Sequence, residues 1–165
     1  MDRSAPPAIL AGTLASSSAS ETRAIGARLG AAAPPGTILA LVGRLGAGKT
    51  QLAKGVAEGL DVPSVVNSPT FILMNEHVGR LRLFHVDAYR LDDPGEALAT
   101  GLLDERGADG VTVIEWADRL DGWLPAERLD IQIDIDPTDP ERRMFAWQAH
   151  GAAHESLARA AMMGR

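Results

Sequence analysis

At 165 residues and 45% hydrophobic, the chain is long enough to fold as one domain around a real core. Its net charge of −6 argues against a broad electrostatic grip on nucleic acid, DNA included, and leaves room only for a local basic patch. There is no cysteine, so disulfides and thiolate metal sites are excluded, and no apolar run approaches the ~20 residues of a membrane span.

Residues 1–7 read as a loose tail. Arg3 and the apolar residues after it imitate a secretory signal, but the apolar part is short, holds Gly12 and Thr13, and has Asp2 offsetting Arg3. A short strand is expected over residues 8–14, then a polar break in which Ser20 would cap a helix over 21–32. Ile25 and Leu29 mark the buried face of that helix, and Pro34-Pro35-Gly36 ends it.

Residues 37–42 (TILALV) form a continuous apolar run, as a strand buried on both faces requires. It feeds Gly43-Arg44-Leu45-Gly46-Ala47-Gly48-Lys49-Thr50, which has the phosphate-loop pattern: Gly, four free positions, Gly, Lys, then Ser or Thr. The glycines let the backbone turn so that successive N–H groups point inward at an anion. Leu45, Gly46, Ala47, Gly48, Lys49 and Thr50 are therefore the candidate nucleotide contacts, for ATP or ADP with Mg²⁺. Lys49 would reach the outer phosphates and the Thr50 hydroxyl would ligate Mg²⁺. A helix expected over residues 49–60, with Leu52, Val56 and Leu60 on one face, would aim its positive end at the same anion.

The run Gly59-Leu60-Asp61-Val62-Pro63 stops that helix. After Ser68-Pro69-Thr70-Phe71, strands are expected over 71–78 and 81–88, with Gly79-Arg80 as a two-residue hairpin. The second alternates, with Leu81, Leu83, His85 and Asp87 on one face and Arg82, Phe84, Val86 and Ala88 on the other. Asp93-Pro94 would open a helix carrying Glu96, Leu98 and Leu102. Residues 111–114 (VTVI) form another buried strand, ending at Glu115-Trp116. Residues 118–125 read as a polar connection, 129–135 as a strand with one wet face, 144–150 as its partner, and 151 onward as a final short helix. Buried strands alternating with helices make this an α/β chain, read as a single domain over 1–165.

A phosphate loop needs a further metal contact, normally a carboxylate at the end of a buried strand. Glu115 is the acidic residue so placed, binding Mg²⁺ directly or through water. Asp87, at another strand end beside Tyr89 and Arg90, is the candidate for holding an attacking water, with a turn cap as the plain alternative. The catalytic set is thus Asp87, Lys49 and Glu115. Thr70, beside the stiffening Pro69, is a candidate sensor of the outer phosphate. His85 reads as packing in the core or just behind the site, a lone His in an alternating strand being a poor metal site, and Trp116 reads as core packing, with contact to the site or to a partner as the alternatives. Arg142 and Arg143 read as solvated, with phosphate or nucleic-acid contact as the alternative.

The loop Gly43-Arg44-Leu45-Gly46-Ala47-Gly48-Lys49-Thr50, the segment Ser68-Pro69-Thr70-Phe71, the pattern His85-x-Asp87-x-Tyr89-Arg90 and Ile114-Glu115-Trp116 together resemble the TsaE family. These are ATPases of bacterial tRNA threonylcarbamoyladenosine synthesis, and the resemblance spans roughly residues 22–151. It implies a three-layer P-loop NTPase domain with a mixed β-sheet containing a β-hairpin. It implies weak ATPase activity and association with the TsaD–TsaB pair, with direct or indirect contact to tRNA left open, while the phosphate loop's need for ATP points to a cytoplasmic setting. It carries phosphate contact onto Lys49, Mg²⁺ onto Thr50 and Glu115, support of hydrolysis onto Asp87, and a switch-like loop onto residues 68–71. The chain departs from the family pattern at Arg44, where an acidic residue is common, at Ala117, where Pro is common, and over 102–106, which lack the usual aromatic.

Length and motif would also suit a small P-loop kinase phosphorylating a metabolite, although no Arg cluster stands in a lid-like insertion. A nucleotide-dependent interaction module with negligible catalysis is a further reading. It differs from the ATPase only in turnover.

Overall fold

The structure is a computed structural model and describes residues 9–63, 74–89, 91, 93, 95 and 108–163. In chain order it runs β1 (Leu10–Ser16), α1 (Ala19–Ala32), β2 (Thr37–Gly43), α2 (Lys49–Gly59), β3 (Met74–Val78), β4 (Arg82–Asp87), β5 (Gly110–Glu115), a 3-10 turn (Ala117–Leu120), β6 (Arg128–Asp136), β7 (Asp139–His150) and α3 (Ala152–Ala161). The tail 1–7, the segment Ser68-Pro69-Thr70-Phe71 with the sensor candidate Thr70, and the helix expected after Asp93 lie outside the described residues. Asp93 itself accepts the Gly95 N–H at 2.9 Å, as a turn or cap residue does.

The strands form one seven-stranded sheet in the order β1-β7-β6-β2-β5-β4-β3. β2 lies parallel to both β5 and β6, and β4 lies parallel to β5. The pairs β1/β7, β6/β7 and β3/β4 are antiparallel, so the sheet is mixed and contains the expected hairpin. Strand composition follows position. β5 is buried at every residue, whereas β6 buries Leu129, Ile131 and Ile133 and turns Asp130 and Gln132 the other way.

Side-chain alternation in β2 splits the core in two. Leu39 and Leu41 pack with Leu29 of α1, Leu52 and Val56 of α2, and Leu157 of α3. Ala40 faces the opposite side, with Val86, Ile114 and the 3-10 turn residues Ala117 and Leu120. Helices thus cover one face, and the segment expected to be a polar connection helps cover the other.

α1 and α2 run side by side in the same direction at very close range. A Cβ at Gly26 would meet the Leu52 carbonyl oxygen at 2.2 Å, and one at Gly55 would meet the Arg23 carbonyl oxygen at 2.1 Å. Gly30 and Gly59, one turn further along, are equally tight against Val56 and Ala27. Absent side chains here let backbones touch, which fixes α2 and therefore the loop before it.

Two local expectations are corrected. α1 is capped by Ser18, not Ser20: the Ser18 hydroxyl accepts the Glu21 N–H at 3.1 Å, and the Glu21 carboxylate accepts the Ser17 N–H at 2.6 Å. This reciprocal box ties off two amides, which Ser20 could not do from inside the first turn. The β3–β4 connection has three residues, because Val78 pairs with Arg82. Arg80 is drawn from the turn to the end of α1, donating to the Gly30 carbonyl at 2.7 Å, and its own N–H meets the Leu60 carbonyl at 2.6 Å. No helix among the described residues is long and apolar enough to cross a membrane.

Candidate nucleotide and metal site

β2, β4 and β5 are parallel, so their last residues, Gly43, Asp87 and Glu115, fall at one end of the sheet. The carboxyl ends of parallel strands are where open α/β sheets place ligands. Register puts Asp87 directly beside Glu115 and Leu41 on the latter's other side.

The loop leaves β2 at a position only glycine tolerates. A Cβ on Gly43 would sit 2.6 Å from the Ile133 carbonyl oxygen and 3.2 Å from the Ala47 methyl. The chain then curls with φ of +79° at Gly46 and +113° at Gly48, both in the left-handed region that side chains resist. Ala47 is fully buried beneath this curl and Leu45 is 81% exposed at its tip. Gly48 is the N-cap of α2, and no side chain caps that helix. The first amides of α2 therefore open onto the curl, as at an anion cradle.

Lys49 is only 4% exposed. Its ammonium donates to the Gly43 carbonyl at 2.5 Å and the Arg44 carbonyl at 2.9 Å, and lies 4.0 Å from the centroid of the Trp116 ring. Burial pushes its pKa below that of an ordinary lysine, while Glu115, Asp118 and Asp87 pull it back up. Trp116 reaches this position through left-handed backbone, φ 57° and ψ 42°, immediately after Glu115. A non-glycine residue held there carries strain of about 1 kcal/mol or more, and the indole that it positions meets the cation while still packing against the smaller core cluster. Tyr89 packs against the same indole, with 4.7 Å between ring centroids and the planes tilted by 42°.

Glu115 is buried, and its two oxygens have different partners. Oε1 accepts the Thr50 hydroxyl at 3.0 Å, and Oε2 is bonded to His85 Nε2. His85 therefore does more than pack: it orients the carboxylate. Asp87 Oδ1 accepts the Tyr89 N–H at 2.9 Å, so the turn-cap alternative holds for that oxygen. Asp87 also belongs to the acidic set acting on Lys49. No cluster of three or more His, Asp or Glu side chains among the described residues could hold a metal unaided. One carboxylate and one hydroxyl, beside a phosphate cradle, are the donor set of Mg²⁺, which keeps waters and shares phosphate oxygens.

The structure thus gathers Leu45, Gly46, Ala47, Gly48, Lys49, Thr50, Asp87 and Glu115 at one sheet end, and Thr70 lies outside the described residues. It also brings in three residues to which sequence reading assigned no such place. Asp118, from the 3-10 turn, acts on Lys49. Arg143 of β7, expected to be solvated, bonds the loop's carbonyls, Ala47 O at 2.8 Å among them. Thr22 of α1 lies against Gly48 and shares a buried 2.7 Å hydrogen bond with Ser16. No spacing rule encodes these, since their side chains reach the loop from the 3-10 turn, β7 and α1, elements far from it in sequence.

A sequence model of the family described as "Threonylcarbamoyl adenosine biosynthesis protein TsaE" matches residues 16–144. The chain is similar to the tRNA threonylcarbamoyladenosine biosynthesis protein TsaE of Bacillus subtilis, 44% identical over 138 residues, which cover 83% of this chain and 85% of that one. It is similar to the protein of the same name from Mycobacterium leprae, 42% identical over 123 residues, covering 69% and 76%. The crystal structure of Bacillus subtilis YdiB superposes with a TM-score of 0.77 at 34% identity, covering 93% of this chain and 95% of that one. The matched span runs from the last residue of β1 through the glycine loop and Glu115 to β7, and with it the chain belongs to the TsaE family.

Proposed function

We propose that this chain binds ATP with Mg²⁺, hydrolyses it slowly, and serves threonylcarbamoyladenosine formation on tRNA in the cytoplasm together with a TsaD–TsaB pair. One observation carries the nucleotide part: Thr50 Oγ1 and Glu115 Oε1 stand 3.0 Å apart at the mouth of a glycine cradle beside a buried ammonium. Neighbouring oxygens in an octahedral Mg²⁺ shell, each at roughly 2.0–2.1 Å, are about 2.9 Å apart. The two side chains thus have the spacing of two adjacent ligands. Bound there, Mg²⁺ would neutralise phosphate charge as it builds during cleavage.

The protein's own groups divide the remaining work. The α2 amides and the curl take phosphate oxygens. An ammonium has three donors; carbonyls of Gly43 and Arg44 take two from Lys49, and the third serves a phosphate oxygen. His85 holds one Glu115 oxygen so that the other stays turned to Thr50. Asp87, its plane fixed by the Tyr89 amide, orients the attacking water. The tRNA role rests on the names of the relatives, and with a net charge of −6 this chain reaches tRNA through its partners more readily than by itself.

Calorimetry tests this directly. Mg-ATP and Mg-ADP should both bind, and Glu115→Gln should lower Mg²⁺-dependent affinity by at least about tenfold while changing Mg²⁺-free binding little. ADP release should rise when the TsaD–TsaB pair is added. A folded protein that takes up neither nucleotide would overturn the proposal, and turnover indifferent to the pair would remove its partner half.

A further inference from the structure

Arg143 sits on β7 between two neighbours, paired with Ser16 of β1 on one side and Ile135 of β6 on the other. Its backbone is therefore held by the sheet. Its guanidinium crosses to the outer surface of the glycine loop, donating from Nε to the Ala47 carbonyl at 2.8 Å and from Nη2 to the Gly46 carbonyl at 3.3 Å. Nη1 is itself pinned, to the Pro140 carbonyl at 2.5 Å and the Arg142 carbonyl at 3.2 Å. One planar fork thus joins a rigid strand to two successive peptide units of the loop.

We propose that Arg143 is a positioning residue for the phosphate cradle, holding those two peptide planes from behind so that the Gly48 amide faces the phosphate chain. The inference rests on the phosphate-binding reading above. In a planar trans peptide, C=O and N–H point to opposite sides. The Gly46–Ala47 plane is tied at both edges, because the Ala47 N–H also donates to the Arg44 carbonyl at 3.0 Å. The Ala47–Gly48 plane has its carbonyl tied outward, which turns the Gly48 N–H inward. Without such a tie this plane could flip, since the residues flanking Ala47 are the two positive-φ glycines, Gly46 and Gly48. A carbonyl that accepts from a cation also polarises its peptide unit and strengthens the N–H on the far edge. Lysine cannot replace the fork, since a single ammonium is not a rigid planar donor set.

The test compares Arg143→Gln and Arg143→Lys with the parent protein, using ATP and inorganic tripolyphosphate as probes in the presence of Mg²⁺. The Gln variant should lose affinity for both probes by the same factor, roughly tenfold to a hundredfold, and the Lys variant should recover only part of it. Amide hydrogen exchange at Ala47, whose N–H is bonded to the Arg44 carbonyl, should quicken in the Gln variant with no ligand added. A loss confined to ATP would make Arg143 a base or ribose contact and overturn the proposal. Full recovery in the Lys variant would reduce it to bulk charge, with the same consequence. If the parent protein binds neither probe, the phosphate reading fails, and exchange alone then decides: unaltered protection of the Ala47 amide overturns the brace, and faster exchange sustains it.

Discussion

Glu115 shows how few groups the site needs. One buried carboxylate receives a histidine on one oxygen and a threonine hydroxyl on the other, so neither its orientation nor its charge is left to solvent. Asp87 lies beside it in register but is half-buried and tied to a turn amide, which suits a group acting on water more than one holding a metal. Asp87→Ala should therefore keep Mg-ATP affinity within a few-fold and lower turnover by about a hundredfold or more, read as ADP release under saturating ATP. A second residue-scale prediction concerns His154 of α3. Its Nε2 accepts the Ile38 N–H at 3.0 Å, which requires the neutral ring. Burial pushes its pKa below the ordinary histidine value, opposed by Glu127 and reinforced by His150. The unfolded chain takes up this proton near pH 6.5 while the folded one does not, so stability is lost as pH falls from about 7 to 5. In urea titrations across that range, His154→Gln, which keeps an acceptor and does not titrate, should show a shallower decline than the parent. Equal slopes would remove His154 as the source.

At the scale of elements, the contact between α1 and α2 decides where the glycine loop stands. Helix propensity favours Ala over Gly by about 1 kcal/mol, so by local preference alone Gly55→Ala should stabilise the protein. The contact says otherwise. The new methyl would lie 2.1 Å from the Arg23 carbonyl oxygen, and neither helix can yield without moving β2 or the loop. Overpacking of this kind typically costs about 1–3 kcal/mol and here meets backbone, so a net destabilisation of about 2 kcal/mol or more is expected in urea unfolding. Sequence reading located both helices from their apolar spacing and placed Ile25 and Leu29 on the buried face, where they lie. It gave no role to Gly26, Gly30 and Gly55 and read Gly59 only as part of a helix stop, because a glycine that permits backbone contact and one that merely weakens a helix look the same in one dimension. The cap of α1 was misplaced for a related reason, since several serines precede that helix and only the reciprocal bond from Glu21 selects among them.

For the molecule as a whole, the strands were legible and much of their order was not. Continuous apolar runs marked β2 and β5 as central, alternation marked β6 as half-wet, and the phosphate-loop motif with Glu115 gave the core of the candidate site. Nothing local says that β1 pairs with β7, from Leu10 opposite Ala149 to Ser16 opposite Arg143. That pairing is what brings Arg143 to the loop, which is why the sequence favours solvent for a residue so close to the cradle and offers phosphate or nucleic-acid contact only as the alternative. The same long-range closure makes the last helix structural. α3 buries Leu157 and Ala161, and Met162 just beyond its end, in the main core, and His154 ties it to the start of β2. Ending the chain at His150 should cost at least about 3 kcal/mol, visible as a lower urea midpoint or loss of the folded state. The enclosure of Lys49 has one further consequence. With no thiols, and with lysine only at positions 49 and 54, the chain offers acylating reagents very few side-chain targets. Lys54 is half-buried on α2, whereas Lys49 is sealed by two carbonyls and an indole. Acylation rates at the two sites, followed by mass spectrometry, therefore give a built-in chemical clock in which Lys54 sets the tempo and Lys49 counts how often the cradle opens.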